Sequence, residues 1–287
     1  KPVIFTANTT SPVSGYWGGI IINGKAPISG QSADKSDTGL TEIDNSFKYG
    51  GNVDDDNSGS LTYVQICYAG ARSTADIEHN GLTLNGVGSG TKIENIYVLE
   101  SADDAIEFFG GTVNVTNLLA VNPDDDMFDF TQGYSGTLKN CYGVWENGYT
   151  STEADPRGIE ADGNLDGLYP THLRQSDFRV ENMTIVNNAA DKADNVDRMQ
   201  DVIKIRRGAK AAIVNALVKG TGGSIDLIDM SDSKGAGNAD SSVSITNSLN
   251  LTGKKLNGTL NTFAEPAGNT GTDVSLFTWT GYNFSSL

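Results

Sequence analysis

The sequence predicts an all-β protein, a single-stranded right-handed parallel β-helix (a solenoid) with inserted loops. Three observations carry this prediction. An Asn-centred motif recurs along the chain, a second apolar-polar-apolar motif alternates with it, and the shortest steps between the Asn positions are 22 and 23 residues. A period of this length is typical of one solenoid coil made of short strands and turns. No sustained 3.6-residue apolar periodicity competes with it, which disfavours a globular α/β fold.

The Asn motif consists of an apolar residue, any residue, Asn and then a strand-like run. Its successive steps are 22, 23, 42, 33 and 32 residues, and the longer steps indicate coils with an inserted loop. Because stacked coils lie about 4.8 Å apart, equivalent Asn side chains can bond to one another up the helix. We therefore predict a buried amide ladder, with Tyr63 in the Asn position of an earlier coil and with these members: Asn95, Asn117, Asn140, Asn182, Asn215 and Asn247.

The second motif supplies another strand to each coil. Its middle residue should point outward, because the residues on either side of it are apolar. Stacking the coils gives an outward column of middle residues: Thr83, Glu107, Asp129, Glu160, Lys204 and Asp226. The residues two positions later form a second column: Asn85, Phe109, Thr131, Asp162, Arg206 and Ile228. The residues three positions earlier form a third: Asp104, Asp126, Arg157 and Asp201.

Ion pairs between coils are the simplest interpretation of these columns. The expected pairs are Glu160 with Lys204, Asp162 with Arg206, and Asp126 with Arg157. Exposed pairs of this kind contribute only about 0–1 kcal/mol each. They leave two stacks of like charge: Glu107 with Asp129, and Asp104 with Asp126. Such neighbours destabilise a sheet unless something neutralises them.

A bound hard cation is the second interpretation. Carboxylates and turn carbonyls on adjacent coils can supply the six to eight oxygen ligands that Ca²⁺ takes. The candidate ligands lie in two successive acidic turns: Asp103, Asp104, Asp124, Asp125 and Asp126, with Glu107 and Asp129 close by. The chain contains no EF-hand or other dedicated calcium motif, so the prediction depends on the stacking of the coils.

Composition limits the partners of the chain. It carries 20 Lys and Arg against 36 Asp and Glu, a formal net charge of −16. A surface this acidic repels nucleic acid and attracts cations. No run of about 18 apolar residues is present, so we expect no membrane-spanning helix. The two cysteines, Cys67 and Cys141, should lie three coils apart, too far for a disulfide, and we expect both to be free thiols.

Three segments resemble secreted and surface-attached parallel β-helix proteins of Bacteroidetes-type bacteria, which have a pectin-lyase-like architecture. They are WGGIIINGKAPI at 17–28, GLTLNGVGSGT at 81–91 and DDAIEFFGGTVN at 103–114. The match is good over roughly residues 2–145 and looser beyond. The resemblance implies export and attachment to the outer membrane, often through a lipid anchor or sorting domain. In such relatives a further strand-rich stretch precedes the position of Lys1.

A catalytic interpretation remains open, because many β-helix proteins cleave polysaccharides. The run at 103–106 resembles the paired Asp of pectin-type glycoside hydrolases, although the His-containing turn of that family is missing. Two carboxyl groups could act as general acid and base, and a lyase would use Ca²⁺ with Lys204 or Arg206 as the base. The candidate catalytic residues are Asp104, Asp126, Glu107, Asp129, Lys204 and Arg206.

The chain should form a single domain, residues 1–287, of roughly nine or ten coils, as part of a longer exported precursor. We expect residues 256–287 to cap the open end of the helix. The predicted insertions lie near 30–58, 147–157, 163–178, 188–200 and 229–241, and the fourth could hold a short helix. The favoured function is a non-catalytic, monomeric surface module that binds or displays glycan, with a cation as a structural staple. The alternative is a Ca²⁺-dependent polysaccharide lyase or glycoside hydrolase.

Overall fold

The structure is a computed structural model of the chain, and it describes residues 1–32, 37–73, 79–190 and 198–286. The regular elements there are strands and three short 3₁₀ segments, Leu165–Gly167, Val274–Thr280 and Phe284–Ser286. In chain order the strands are β1 (Val3–Phe5), β2 (Ile20–Asn23), β3 (Gly39–Leu40), β4 (Lys48–Tyr49), β5 (Ser60–Cys67), β6 (Leu82–Asn85), β7 (Lys92–Leu99), β8 (Ile106–Phe109), β9 (Val115–Val121), β10 (Phe128–Thr131), β11 (Thr137–Trp145), β12 (Ile159–Asp162), β13 (Asp177–Asn187), β14 (Met199–Arg206), β15 (Lys210–Lys219), β16 (Gly223–Asp229), β17 (Ser242–Asn247), β18 (Asn250–Leu251) and β19 (Thr262–Ala264).

Two parallel sheets run the length of the molecule. Sheet A has the order β1-β5-β7-β9-β11-β13-β15-β17-β19, and sheet B has the order β18-β16-β14-β12-β10-β8-β6-β2. Each turn of the chain adds one strand to each sheet, which confirms the predicted right-handed parallel β-helix. Among the described residues eight coils contribute to both sheets and β19 begins a ninth, at the lower bound of the predicted number. The hairpin of β3 and β4 forms a separate antiparallel pair.

The Asn ladder follows the prediction over five coils. Its side-chain amides bond from coil to coil at Nδ2–Oδ1 distances of 3.0, 2.9, 2.8 and 2.8 Å, from Asn95 through Asn215. Each ladder Asn has a positive φ of 54–59°, and the pairing of sheet A skips these residues. The strands of sheet A therefore bend sharply at the ladder. The ladder side chains are half-buried at this bend, whereas the sequence analysis predicted that they are buried.

Asn247 does not belong to the ladder, and that part of the prediction is wrong. The register between β15 and β17 shifts between Ile213 and Ala216, so Asn247 lies opposite Val218. Asn215 instead accepts a hydrogen bond from the backbone N–H of Thr270, at 2.8 Å. The C-terminal segment thus occupies the bonding position beside Asn215 that the prediction gave to Asn247.

The core is filled from both sheets by the apolar residues of the repeating motifs. Phe108 of β8 and Phe130 of β10 stack with ring centroids 5.1 Å apart, and Phe178 at the start of β13 stacks on Phe130 at 4.1 Å. Cys67 and Cys141 are buried free thiols, as predicted. Within the described residues no helix has the length and apolar character needed to cross a membrane.

The largest insertion lies between β2 and β5 and contains the β3–β4 hairpin. Tyr49 at the end of the hairpin packs with Ile28 and with Phe109 of sheet B, so the insertion covers the outer face of that sheet. A second insertion, between β12 and β13, reaches the first, and His172 Nε2 lies 3.2 Å from Asp37 Oδ2. Most of the predicted insertion at 188–200, including the expected short helix, falls on residues 191–197, which lie outside the described part of the chain.

The predicted cap, residues 256–287, divides into two parts. Leu256, Leu260 and Phe263 pack against the core, and β19 pairs with β17 at this end of sheet A. Residues 269–286, here called the C-terminal strap, lie along the outer face of sheet A. Phe277 is fully buried there beside Tyr142, Trp279 meets the ring of Tyr63, and Tyr282 Oη donates to Glu146 Oε1 at 2.9 Å. The reason is an apolar stripe on this face that the strap covers: Tyr97, Leu119, Val121, Tyr142, Val144 and Val186.

Candidate functional site

Sheet B carries the predicted outward columns. Its register places Thr83 beside Glu107, Glu107 beside Asp129, Asp129 beside Glu160 and Glu160 beside Lys204. These side chains point away from the core, as predicted. They are not freely exposed, however, because the inserted loops cover this face.

The last residue of the column of middle residues was predicted wrongly as Asp226. Lys204 lies opposite Asp229, while Asp226 lies opposite Asp201 and Ile228 lies opposite Ile203. The sequence of β16, GSIDLID, offers Ile-Asp twice, three residues apart. Both frames satisfy the apolar-polar pattern, so local sequence could not select the right one.

Ion pairs occupy the half of this face formed by the later coils. Arg206 pairs with Glu160 and, at 2.6 Å, with Asp162, which confirms the expected Asp162–Arg206 pair. The predicted Glu160–Lys204 pair is absent among the described contacts, because Lys204 turns to Asp229 and Asp201.

Arg157 is another cation of this network. It pairs with Glu160, with Asp155 at 2.6 Å and with Asp201 at 3.4 Å. The described contacts contain no ion pair between Arg157 and Asp126, the partner that the columns predicted. Three carboxylates are already paired with the guanidinium. Its positive charge still acts on Asp126 at a distance and partly lowers the pKa of that carboxyl group.

The earlier coils hold carboxylates in excess. Three groups of three have ligand oxygens within 4.8 Å of one another: Asp103–Asp104–Asp125, Asp104–Glu107–Asp129 and Asp126–Asp129–Glu160. Asp104 belongs to the first two groups, and Asp129 belongs to the last two. Asp104, Glu107, Asp126 and Asp129 are here called the acidic cluster. Stacking thus brings the two predicted acidic turns and the following strand residues together.

Asp124 lies apart from these groups, although its turn was a candidate ligand site. Its carboxylate accepts hydrogen bonds from Thr152 N at 2.7 Å, from Thr152 Oγ1 and from Tyr149 Oη at 3.2 Å. Both of its oxygens are therefore used to hold the loop after β11. A cation would have to displace these bonds to use Asp124.

A fourth group of carboxylates, Asp201–Asp226–Asp229, lies among the later coils. Lys204 pairs with two of these residues, and Asp226 Oδ1 accepts from the backbone N–H of Lys254 at 2.5 Å. The sequence pattern predicted Asp226 as the neighbour of Lys204. In the structure Asp229 is the neighbour and pairs with Lys204. This group is compensated by protein contacts.

Two oxygens of the acidic cluster have no hydrogen-bond donor among the described residues. They are Oδ1 of Asp126 and Oδ1 of Asp129. Asp126 is only 2% exposed, so water cannot solvate it freely. Asp104 Oδ1 accepts from the backbone N–H of Asp126 at 2.9 Å, and Glu107 Oε2 accepts from Asn80 Nδ2 at 2.5 Å. A buried carboxylate oxygen without a donor costs free energy unless a cation or proton meets it.

The pKa values of the acidic cluster reflect this environment. Burial, followed by the neighbouring carboxylates, raises the pKa of Asp104 and Glu107 well above their usual range. The same two causes raise the pKa of Asp126 and Asp129, opposed in part by Arg157 and Arg206 respectively. Both causes disfavour the charged form of these four carboxyl groups.

Two adjoining cavities lie over this face. The apolar cavity, about 110 Å³, is lined mainly by Ile21, Leu40, Ile43, Tyr49, Phe109 and Leu165, with Asn80, Thr83 and Asn85 on its floor. The carboxylate cleft, about 170 Å³, is lined by Glu107, Asp129, Glu160 and Asp162 with Arg206 and Arg207. Glu42, Phe109 and Leu165 border both. The predicted columns identified the acids of this site. They did not identify the hairpin residues or Asn80, because no local sequence pattern shows on which surface an insertion packs.

These features define a parallel β-helix whose inserted loops build a covered acidic site on one outer face. A family model of the pectate-lyase like beta helix domain matches residues 1–281, and the chain belongs to that family. No curated protein and no solved structure matches the chain.

Proposed function

We propose that this chain is an exported surface module that binds Ca²⁺ at the acidic cluster and uses the covered face of sheet B to bind glycan. The observation that carries the proposal is the pair of buried, donorless oxygens of Asp126 and Asp129 inside groups of carboxylates. A polar ligand shell of this kind is what a hard cation requires.

Ca²⁺ fits this site better than a softer metal. The oxygen atoms come from carboxylates of three successive coils, and no Cys or His belongs to the three groups. Ca²⁺ accepts six to eight oxygens in irregular geometry, whereas Mg²⁺ demands a near-ideal octahedron. The two acidic turns supply the ligands from backbone positions that stacking fixes, so the cation would join adjacent coils.

Export, surface attachment and glycan binding rest on the resemblance of three N-terminal segments to secreted bacterial β-helix proteins, and on the covered cleft. The cleft combines carboxylates with the guanidinium groups of Arg206 and Arg207. Such groups can bond to sugar hydroxyls as acceptors and donors. We propose that the chain acts as a monomer.

The enzyme alternative receives less support from the geometry. A lyase needs an unprotonated base, and the neighbouring carboxylates raise the pKa of Arg206 further above its ordinary value. Lys204 is held between Asp229 and Asp201. Both basic residues therefore act as ion-pair partners, a role suited to a binding module. The paired acids alone leave hydrolysis as the second candidate.

Thermal unfolding with and without Ca²⁺ tests the cation site. We expect millimolar Ca²⁺ to raise the Tm relative to EDTA, because a ligand that binds only the folded state stabilises it. The double variant Asp104→Asn, Asp126→Asn should melt higher than wild type in EDTA, since it removes stacked like charges. The same variant should lose most of the rise caused by Ca²⁺.

Asp177→Asn, an exposed acid at the start of β13, is the matched control and should keep the full rise. An equal Tm in EDTA and Ca²⁺ for wild type would refute the cation site. A Ca²⁺ response that survives the double variant would place the cation elsewhere.

A further inference from the structure

The apolar cavity adjoins the carboxylate cleft, and a bound metal ion would make no use of the apolar walls. The walls of the apolar cavity come from three separate parts of the chain: Ile21 of β2, Ile43 and Tyr49 of the hairpin insertion, and Leu165 of the second insertion. Leu40 at its rim is 49% exposed, so the cavity reaches solvent there. A pocket with apolar walls binds carbon groups, and its few polar atoms select the rest of the ligand.

One polar atom at the floor of this cavity is an acceptor without a donor. Asn80 is 4% exposed, and its Oδ1 has no donor among the described residues. Its Nδ2 is already used, since it donates to Glu107 Oε2 at 2.5 Å and to Thr83 Oγ1 at 3.3 Å. Asn80 lines this cavity, and its remaining hydrogen-bonding capacity is that of an acceptor, for which a ligand would bring the donor.

The charge of the adjoining cleft is negative where it meets the apolar cavity. Glu42 borders both cavities, and Glu107 and Asp129 lie beside it. The two arginines of the cleft are held by other acids, Arg206 by Glu160 and Asp162, and Arg207 by Asp162 and Asp232. Among the described residues Glu107 has no ion-pair partner, so a cationic ligand beside the apolar walls would meet its carboxylate.

We propose that the two cavities form one binding site for a primary alkylammonium group, with the carbon chain against Ile21, Ile43 and Leu165. The ammonium lies between Asn80 Oδ1 and the carboxylate of Glu107. An ammonium brings three donors and one positive charge, which satisfies acceptors and carboxylates together. The same chemistry occurs in small alkylamines, in a lysine side chain and in an amino sugar. This site does not depend on Ca²⁺ binding, although Glu107 and Asp129 also belong to one group of candidate ligands.

Calorimetric titration of the whole chain tests the proposal, in EDTA so that Ca²⁺ does not compete. The probes are n-butylamine and 1-butanol, which differ in the ammonium group, and methylamine, which lacks most of the carbon chain. We expect n-butylamine to bind at least tenfold more tightly than either. Further probes then distinguish the source of the amine. Tight binding of Nα-acetyl-lysine amide indicates a lysine side chain, and tighter binding of glucosamine than of N-acetylglucosamine indicates an amino sugar.

Two variants locate the site. Glu107→Gln keeps the shape and removes one stacked charge, and we expect it to weaken n-butylamine at least tenfold. Ile43→Ala should weaken n-butylamine and leave methylamine unchanged. Glu94→Gln, on the solvent side of β7, is the matched control and should change neither. Equal binding of n-butylamine and 1-butanol, no binding of any amine, or a loss in the control as large as in Glu107→Gln would overturn the proposal.

Discussion

At the scale of single residues, Asn is selected at the bend of sheet A for two properties at once. Its short polar side chain tolerates the left-handed backbone that other residues avoid, and it bonds to the equivalent residue in the next coil. Asn140 has φ of 55° and both ladder bonds, one to Asn117 and one from Asn182. Tyr63 adopts the same φ of 56° without an amide and is 49% exposed at the start of the series.

Replacement of Asn140 separates these two contributions. Asn140→Ala should lower the free energy of unfolding by about 2–4 kcal/mol, because it loses the amide bonds and strains the left-handed backbone. Asn140→Gly should cost about half as much, because glycine adopts positive φ without strain. Urea unfolding of both variants provides the comparison. Equal losses would show that backbone strain plays no part at this bend.

At the scale of elements, adjacent strands of sheet B bring together acids that lie 22 residues apart in the chain. The strands are short, and their outward residues have no freedom to move apart, since Glu107 and Asp129 are direct partners in the register. The covering insertions then remove the water that would screen them. Burial under the cover is the larger cause of the raised pKa values, and the closely spaced acids add to it.

The pH dependence of stability follows from these raised pKa values. A carboxyl whose pKa is higher in the folded than in the unfolded chain binds its proton more tightly when folded, so its stabilisation is lost as pH rises through the folded pKa. In EDTA, we therefore expect the Tm to fall between pH 5 and pH 8. Asp201, with a pKa raised to about 6 mainly by burial, contributes in the lower part of this window.

Groups with lowered pKa values, such as Glu181 and Asp232, are ionised in both states above pH 5 and add no slope there. Ca²⁺ should flatten the decline, because the cation takes the place of the protons, and Asp104→Asn with Asp126→Asn should reduce it. Differential scanning calorimetry across this range measures the effect. A Tm in EDTA that rises from pH 5 to pH 8 would contradict the raised pKa values.

At the scale of the whole molecule, the strands of each coil pair only with those of the neighbouring coils, so stability should vary along the helix. The central strands β9, β11 and β13 pair on both sides over long registers. The first strand pairs on one side only, and Val3, Ile4 and Phe5 are 55%, 55% and 41% exposed. At the other end β19 pairs only with β17, over three residues.

Hydrogen exchange with mass spectrometry should reveal this gradient. We expect the backbone amides of β9, β11 and β13 to exchange slowest and those of β1 and β19 fastest, because the end strands lack one neighbour. The outer-face residues of β7 to β13 should gain protection from the C-terminal strap. Uniform protection from β1 to β19 would show that the whole solenoid opens in one cooperative step.

The sequence alone determined the β-helix, five rungs of the Asn ladder, the free cysteines and the stacking of the acidic turns. These features repeat with the coil, so local pattern and the fixed spacing between strands are sufficient to predict them. Only the tertiary structure decided the register at Asp229, the loss of Asn247 from the ladder, the position of the strap and the cover over sheet B. The physical reason is that two frames of β16 have the same local pattern, and that an insertion or a terminus packs on whichever apolar surface the folded coils leave uncovered.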